Sequence, residues 1–213
     1  MRIVNGGAIM QHHAYSEKER AMKKITICVF GVNGVGKSVL LEAVQDIHPD
    51  AIVVRGSTLL KEALSVASYE ALESMSSCVK KKAIIDSIIA LTEDTKSPIT
   101  IVDTHLVVPI RKSHELTVED MWDDGLLGCF QGFIYIQAHP SMVSERRQIN
   151  GDRVLRALNS SSEVCSEDLR LNACRWDEIC PKMQNKKVIV NDQSVFIGAM
   201  KISHFIRELQ VSF

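Results

Sequence analysis

The sequence predicts a three-layer α/β domain in which a five-stranded, mainly parallel sheet carries helices on both faces. Three observations lead there. Five short runs are apolar on both faces, longer amphipathic stretches separate them, and the first run opens into a glycine-rich turn followed at once by a helical pattern. Strands covered on both sides read as near-continuous apolar runs, and parallel neighbours need a crossover between them.

The five runs are ITICVF (25–30), AIVVR (51–55), PITIVD (98–103), GFIYIQA (132–138) and KVIV (187–190). Each is four to seven residues long and rich in β-branched side chains, the length and composition of a buried strand. Helical patterns fill the gaps. One runs over 37–46, directly after the glycine turn. Two or three lie between Ser57 and Leu91, where Ile84, Ile85, Ile88 and Ile89 make one apolar face opposite Lys80–Lys82 and Asp86. Pro140 suits the first turn of a helix reaching Arg147. Ser166 is placed to cap a helix whose Leu169, Ala173, Trp176 and Cys180 share a stripe. Asp192 is placed to cap the last helix, with Val195, Ala199, Ile202, Phe205, Ile206 and Leu209 facing inward. Residues 1–22 show no sustained periodicity and read as a mobile leader, which leaves 23–213 as one domain.

Bulk composition narrows the function classes. Of 213 residues, 46% are hydrophobic and 24% charged, with a formal net charge of −1. There is no basic field for general nucleic-acid binding. No apolar run approaches the roughly 20 residues of a membrane helix. The first 24 residues lack a secretory apolar core, so a cytoplasmic setting is expected. The six cysteines form no CxxC pair and no recognised zinc-ligand spacing, which fits reduced thiols in that compartment. A homo-oligomer is compatible with all of this.

The chemistry concentrates in GVNGVGKS, residues Gly31, Val32, Asn33, Gly34, Val35, Gly36, Lys37 and Ser38. This is the Gly-four-Gly-Lys-Ser spacing of a phosphate-binding loop, in the strand–loop–helix context that the motif requires. Glycines let backbone N–H groups turn toward a phosphate, and the following helix adds its positive end. Lys37 is placed to reach the β- and γ-phosphates of a nucleotide, and the Ser38 hydroxyl to coordinate Mg²⁺.

Other candidates surround it. Asp103 ends the third run, where strand C-termini form the ligand crevice of a doubly wound sheet. There it can serve Mg²⁺ or a phosphate acceptor, or simply cap a turn. His105 either lines the crevice or is a satisfied structural group. The stretch ERRQINGDRVLR (145–156) brings Arg146, Arg147, Arg153 and Arg156 around a flexible Asn150–Gly151–Asp152 turn. Such arginines can neutralise transferring phosphate and close over it, or be surface groups at a helix end. Ser57 or Thr58 can cap the helix after the second run and also reach an acceptor. Asn191 and Asp192 stand where a nucleotide base could be contacted, though a helix cap explains Asp192 equally.

With these residues in place, the chain resembles the P-loop nucleoside-monophosphate kinase superfamily, and within it the archaeal-type adenylate kinases. The likeness spans about residues 23–210 and rests on KKITICVFGVNGVGKS, IVVRGSTLLKEAL, TIVDTHLVV, AHPSMVSERR with Asp152 and Arg153, and KVIVND. It implies a P-loop kinase fold with a small lid at about 146–160, and acceptor-binding helices at about 56–92. It implies transfer of the ATP γ-phosphate, with Mg²⁺, to a small-molecule acceptor, most simply AMP. By position, Gly31–Ser38 and Arg146 would hold ATP, Ser38 and Asp103 the metal, and Lys37, Asp103, Arg147 and Arg153 would be catalytic. Two departures bear on the acceptor and donor. Val39 replaces the second hydroxyl residue usual after the loop, and GSTLLKEA carries Lys61 where an arginine is usual. A kinase of a non-nucleotide metabolite, or an ATP-dependent regulatory or assembly ATPase, is therefore the alternative. A GTP-reading NKxD motif is missing, since the nearest string, NKKV at 185–188, has no aspartate.

Overall fold

Strand β1 (Ile25–Phe30) is buried along its whole length, as a strand covered on both faces must be. The computed structural model describes residues 24–112, 115–149 and 160–212. The predicted leader and most of the predicted lid, Arg153 and Arg156 included, lie outside the described residues. The remaining strands are β2 (Ala51–Arg55), β3 (Ile99–Asp103), β4 (Val107–Lys112), β5 (Glu115–Asp120), β6 (Gly132–Gln137) and β7 (Lys186–Val190). Five of them form one sheet in the order β2-β3-β1-β6-β7, with every neighbouring pair parallel.

Among the described residues, seven α-helices connect and cover the strands: α1 (Lys37–Ile47), α2 (Gly56–Ala63), α3 (Tyr69–Ser74), α4 (Ser77–Asp94), α5 (Pro140–Ile149), α6 (Ser162–Ile179) and α7 (Val195–Ser212). Side-chain alternation along the strands sorts the interior into two cores. Ile25, Ile27 and Val29 of β1, with Ile134 and Ile136 of β6, face Leu40, Leu41 and Val44 of α1 and Ala199, Ile202 and Ile206 of α7. Cys28 and Phe30, with Phe133 and Tyr135, face Ile84 and Ile88 of α4 and Trp176 of α6. The period of two therefore puts helices on both sides of the sheet. Aromatic edges lock the second core: Phe30 and Trp122 meet T-shaped at 5.2 Å, and Tyr135 stacks on Trp176 at 5.2 Å.

Four local expectations are corrected. On α4, Ile84 and Ile88 are buried but Ile89 is exposed, and Lys80 is buried on the same stripe as the isoleucines. Its ammonium is satisfied by Glu119 of β5 at 2.6 Å. Helix α6 starts four residues before Ser166: Ser161 caps it by accepting from the Val164 N–H at 3.3 Å. Its buried stripe is Cys165, Asp168, Asn172, Trp176 and Ile179, so it is partly polar and rotated from the expected one. Ser194, not Asp192, takes the cap position of α7, accepting from the Ile197 N–H at 3.4 Å. The Asp192 carboxylate instead accepts from the His139 N–H at 2.7 Å, tying the end of β7 to the start of α5.

Strands β4 and β5, which no apolar run announced, pair antiparallel as a separate hairpin with Pro109 opposite Val118. Proline is tolerated there because a two-stranded ribbon has only edges. Among the described residues, no helix is long and apolar enough to cross a membrane.

Candidate functional site

Two strands set the site. In the sheet, β1 and β3 are neighbours, with Val29 in register with Asp103. The chain leaves β1 toward β2 at one edge and leaves β3 toward β6 on the other side. Crevices for ligands open at such switch points, beyond the carboxyl ends of the strands. The loop Gly31–Gly36 leaves the end of β1 here, and Asp103 closes the end of β3.

The loop's shape is fixed by its glycines and by two valines. Gly34 and Gly36 lie at φ +83° and +96°, a left-handed backbone that side chains disfavour. A Cβ on Gly36 would strike the Asn191 side-chain amide. Val32 and Val35 point into the core and pin the loop from below. Lys37, the first residue of α1, is 6% exposed. Its Nζ donates to the Gly31 carbonyl at 2.6 Å and lies 3.4 Å from the Val32 carbonyl and 3.6 Å from Asp103 Oδ1. His105 Nδ1 also sits 2.8 Å from the Gly31 carbonyl, so that one oxygen anchors two side chains. Behind the site, burial and the neighbouring Asp103 charge push the Cys28 thiol well above its ordinary pKa, which keeps that sulfur neutral.

Helix α5 braces the loop from the other flank. Arg146 donates from Nη1 to the Val35 carbonyl at 2.9 Å and from Nη2 to the Asn191 carbonyl at 3.0 Å. Asn191 Nδ2 donates to the same Val35 carbonyl at 2.9 Å. Arg147 donates from Nε to the Asn33 carbonyl at 2.9 Å and from Nη1 to Asp168 at 2.9 Å. Asp168 of α6 also meets Arg111 of β4 at 2.8 Å. Loop, α5, α6 and the hairpin are thus joined through charged groups that are mostly buried.

A cavity of about 380 Å³ opens beside the loop. Ser38 and Asp103 stand on its wall, with Glu42 and Gln45 of α1, Arg55 at the end of β2, and Thr58 and Glu62 of α2. Leu41, Val53, Val54 and Leu59 supply the apolar part of the lining. Ser38 and Asp103 offer a hydroxyl and a carboxylate to the same space, two hard oxygen donors of the kind Mg²⁺ takes. Among the described residues, no cluster of three or more His, Cys, Asp or Glu has metal-binding geometry.

The structure thus brings Gly31–Ser38, Asp103, Arg146 and Arg147 together, while Arg153 lies outside the described residues. Asn191 is buried and holds the loop's backbone, and NKKV runs into β7. The sequence reading missed Glu42, Glu62 and Asp168. The first two had a readable signal: each lies four residues after a polar site residue, Ser38 and Thr58, on the same helix face. Asp168 had none, because its partners are 21 and 57 residues away.

No protein-family model matches the chain, and no curated protein matches it. Solved structures do. The chain superposes on shikimate kinase from Bacteroides thetaiotaomicron with a TM-score of 0.57 at 10% identity, over 86% of this chain and 98% of that one. Shikimate kinase from Acinetobacter baumannii, in complex with shikimate, gives 0.58 at 11% identity over 88% and 95%. A Thermus thermophilus protein gives 0.54 at 15% identity over 88% and 98%. The fold is that of the P-loop kinases. At these identities the likeness is one of architecture, and function has to be argued from the site.

Proposed function

We propose that the protein is an ATP-dependent phosphotransferase that moves the γ-phosphate onto a hydroxyl of a small-molecule acceptor. One observation carries this reading. Lys37 and Asp103 lie 3.6 Å apart, and Asp103 and Ser38 together face a cavity large enough for a small metabolite. Donor and acceptor sites would meet at that carboxylate.

Each residue then has a task. The loop N–H groups and the N-terminus of α1 hold the donor phosphates. Lys37 stabilises the charge that builds on the outer phosphates, and Asp103 orients the acceptor hydroxyl and takes its proton. The acceptor oxygen forms a bond to the γ-phosphorus as the bond to the β–γ bridging oxygen breaks, and ADP leaves with that electron pair. Ser38 and Asp103 would hold the Mg²⁺ that accompanies ATP, which lowers the repulsion between the phosphates and the incoming oxygen. Arg146 and Arg147 act as positioning residues, since their guanidiniums fix loop carbonyls. Arg153 is left with the lid role that its sequence position implies.

A non-nucleotide metabolite suits the cavity better than AMP. Among the described residues, its lining has no aromatic side chain to stack on a base and, of basic groups, Arg55 alone to hold a second phosphate. Solved relatives in fold that cover most of this chain include an enzyme named for shikimate, a non-nucleotide acceptor. The adenylate-kinase-like acceptor is the second reading, supported by Arg55 and Thr58 in the cavity lining. A product-resolved screen of the purified protein with ATP across nucleoside monophosphates and small metabolites tests both. Phosphorylated metabolite that disappears in Lys37→Ala is the expected result. ATP hydrolysis without any phosphorylated product would point to the regulatory ATPase instead.

A further inference from the structure

We infer that the free edge of β7 is a dimer interface, at which a second copy of this chain pairs antiparallel about a two-fold axis at Ile189.

Among the described residues, β6 is the one neighbour of β7 in the sheet. The Asn191 N–H donates to the Gln137 carbonyl at 2.7 Å, and the Asn185 carbonyl accepts from the Phe133 N–H at 2.9 Å. The backbone groups of odd-numbered residues thus face β6, and in a ladder the alternate residues point the other way. Those of Lys186, Val188 and Val190 therefore look outward, as a template for another strand.

The side chains along this edge are apolar as well. Val188 and Val190 are 47% and 48% exposed. On the other face of the strand Phe196, Ile197 and Met200 of α7 are also exposed, Phe196 at 67%. With Lys187, Lys201 and His204 they line a groove of about 330 Å³ between strand and helix. An apolar edge and an apolar groove that meet on one strand mark a protein contact rather than scattered surface residues.

Charge decides the occupant. Counted from Ile189, a valine stands one residue away on each side. Three residues away stand Lys186 on one side and Asp192 on the other, both exposed. Neither is in an ion pair among the described residues: Lys186 donates to the Cys180 carbonyl at 2.6 Å, and Asp192 accepts from the His139 N–H. An antiparallel second copy centred on Ile189 sets Val188 against Val190 of that copy and Lys186 against its Asp192. The two-fold then repeats both contacts, as a self-complementary interface requires. The outward backbone groups of Val188 and Val190 meet as a hydrogen-bonded pair. A parallel copy in register would set lysine against lysine. Helix α7 packs along β7, so the same axis brings the two α7 grooves together on one face of the joined sheet.

The test is the oligomeric state of the full chain, by sedimentation equilibrium across micromolar concentrations. A dimer that dissociates on dilution is expected. Lys186→Asp sets aspartate against aspartate at both ends of the pair, and Asp192→Lys sets lysine against lysine. Each should weaken dimerisation about tenfold or more. Mixed in equal amounts, the two variants regain opposite charges and should form a heterodimer; the double swap should pair with itself. Raised salt should narrow the gap between parent and single swaps. Val188→Asp and Phe196→Ser replace exposed apolar side chains and should each favour the monomer with a cooperative melting transition retained. They carry the test should Asp192→Lys suffer from losing its tie to His139. A monomer at every concentration overturns the inference, as does a dimer indifferent to all four single substitutions. A trimer or open polymer overturns it too, because an antiparallel edge pair closes on itself. Loss of the dimer in both charge swaps without recovery on mixing overturns the pairing about Ile189.

Discussion

Arg147 and Asp168 form an ion pair at 2.9 Å in which both side chains are only 6% exposed. The same arginine donates to the Asn33 carbonyl, and the same aspartate meets Arg111, so the pair couples the phosphate loop to the β4–β5 hairpin. Removing one member of a buried pair leaves the other charge unsolvated, at a cost of about 3–5 kcal/mol. Arg147→Ala is therefore expected to lower stability to denaturant by an amount at the low end of that range, because Arg111 still faces Asp168. Arg147→Lys retains the charge but cannot reach carbonyl and carboxylate together, so it should raise KM for ATP more than it lowers stability. Urea unfolding and ATP titration of both variants decide the matter; equal losses in both assays would mean that Arg147 is structural only.

Asp103 stands where the proposed acceptor and donor meet, and Asp103→Asn keeps its size while removing its charge. If the carboxylate takes the acceptor's proton, kcat should fall by about 10²–10⁴-fold. KM for the acceptor should change far less. Steady-state kinetics on the acceptor found by screening give both numbers, and an unaltered kcat would remove Asp103 from the proton transfer.

Gly36 shows how much of the loop depends on backbone freedom. It lies at φ +96°, and its missing Cβ makes room for the Asn191 amide. Gly36→Ala meets both a left-handed strain of about 1–2 kcal/mol and a steric clash. The loop is expected to open rather than the domain to unfold, because Val32 and Val35 still anchor it. Loss of ATP binding with a cooperative thermal transition retained is the expected pair of observations, from calorimetry and circular dichroism.

How far the sequence carries is visible in these residues. The five sheet strands announce themselves by apolar, β-branched runs, and for β1, β3 and β6 double cover is the reason. The edge strands β2 and β7 read the same way yet keep most of their side chains at least partly exposed, which corrects the expectation of five buried strands. The phosphate loop is local, so eight consecutive residues define it. The hairpin is not legible: VVPIRK contains a proline and ELTVED is largely exposed, and neither shows the pattern of a buried strand. Lys80 looked like a surface charge because its partner, Glu119, lies 39 residues away. For Arg146 and Arg147 the sequence leaves two readings, groups that neutralise transferring phosphate or surface arginines at a helix end. Their hydrogen bonds to loop carbonyls depend on the register between α5 and the loop, which the one-dimensional pattern does not encode.

Lys80 offers a test of that long-range pairing. Its Nζ meets both Glu119 oxygens, at 2.7 and 2.6 Å, and Ser77 Oγ donates to the same carboxylate at 2.7 Å. Glu119→Ala should destabilise by about 3–5 kcal/mol, since it strands a buried ammonium. Lys80→Met combined with Glu119→Leu should recover most of that loss, as apolar replacements of buried pairs do. A double-mutant cycle in urea measures the coupling; additive losses would show that the pair contributes nothing by itself.

His48 makes stability depend on pH. Its Nε2 lies 2.8 Å from Ser203 Oγ, between α1 and α7. Burial, with the nearby Arg207 charge, holds its pKa below the ordinary 6.5. The folded state thus resists a proton that the unfolded chain accepts. Above pH 6.5 both states are neutral and His48 is without effect. As pH falls below 6.5 the unfolded chain binds the proton first, and stability declines until the folded pKa is passed. Carboxylates contribute their own acid sensitivity at lower pH, so the signature is a difference between proteins. His48→Gln keeps a group able to bond Ser203 but cannot titrate. Its melting temperature should fall less than that of the parent between pH 7 and pH 5.5, a narrower loss that differential scanning calorimetry resolves. Parallel curves for the two proteins would show that His48 does not titrate on unfolding in this range.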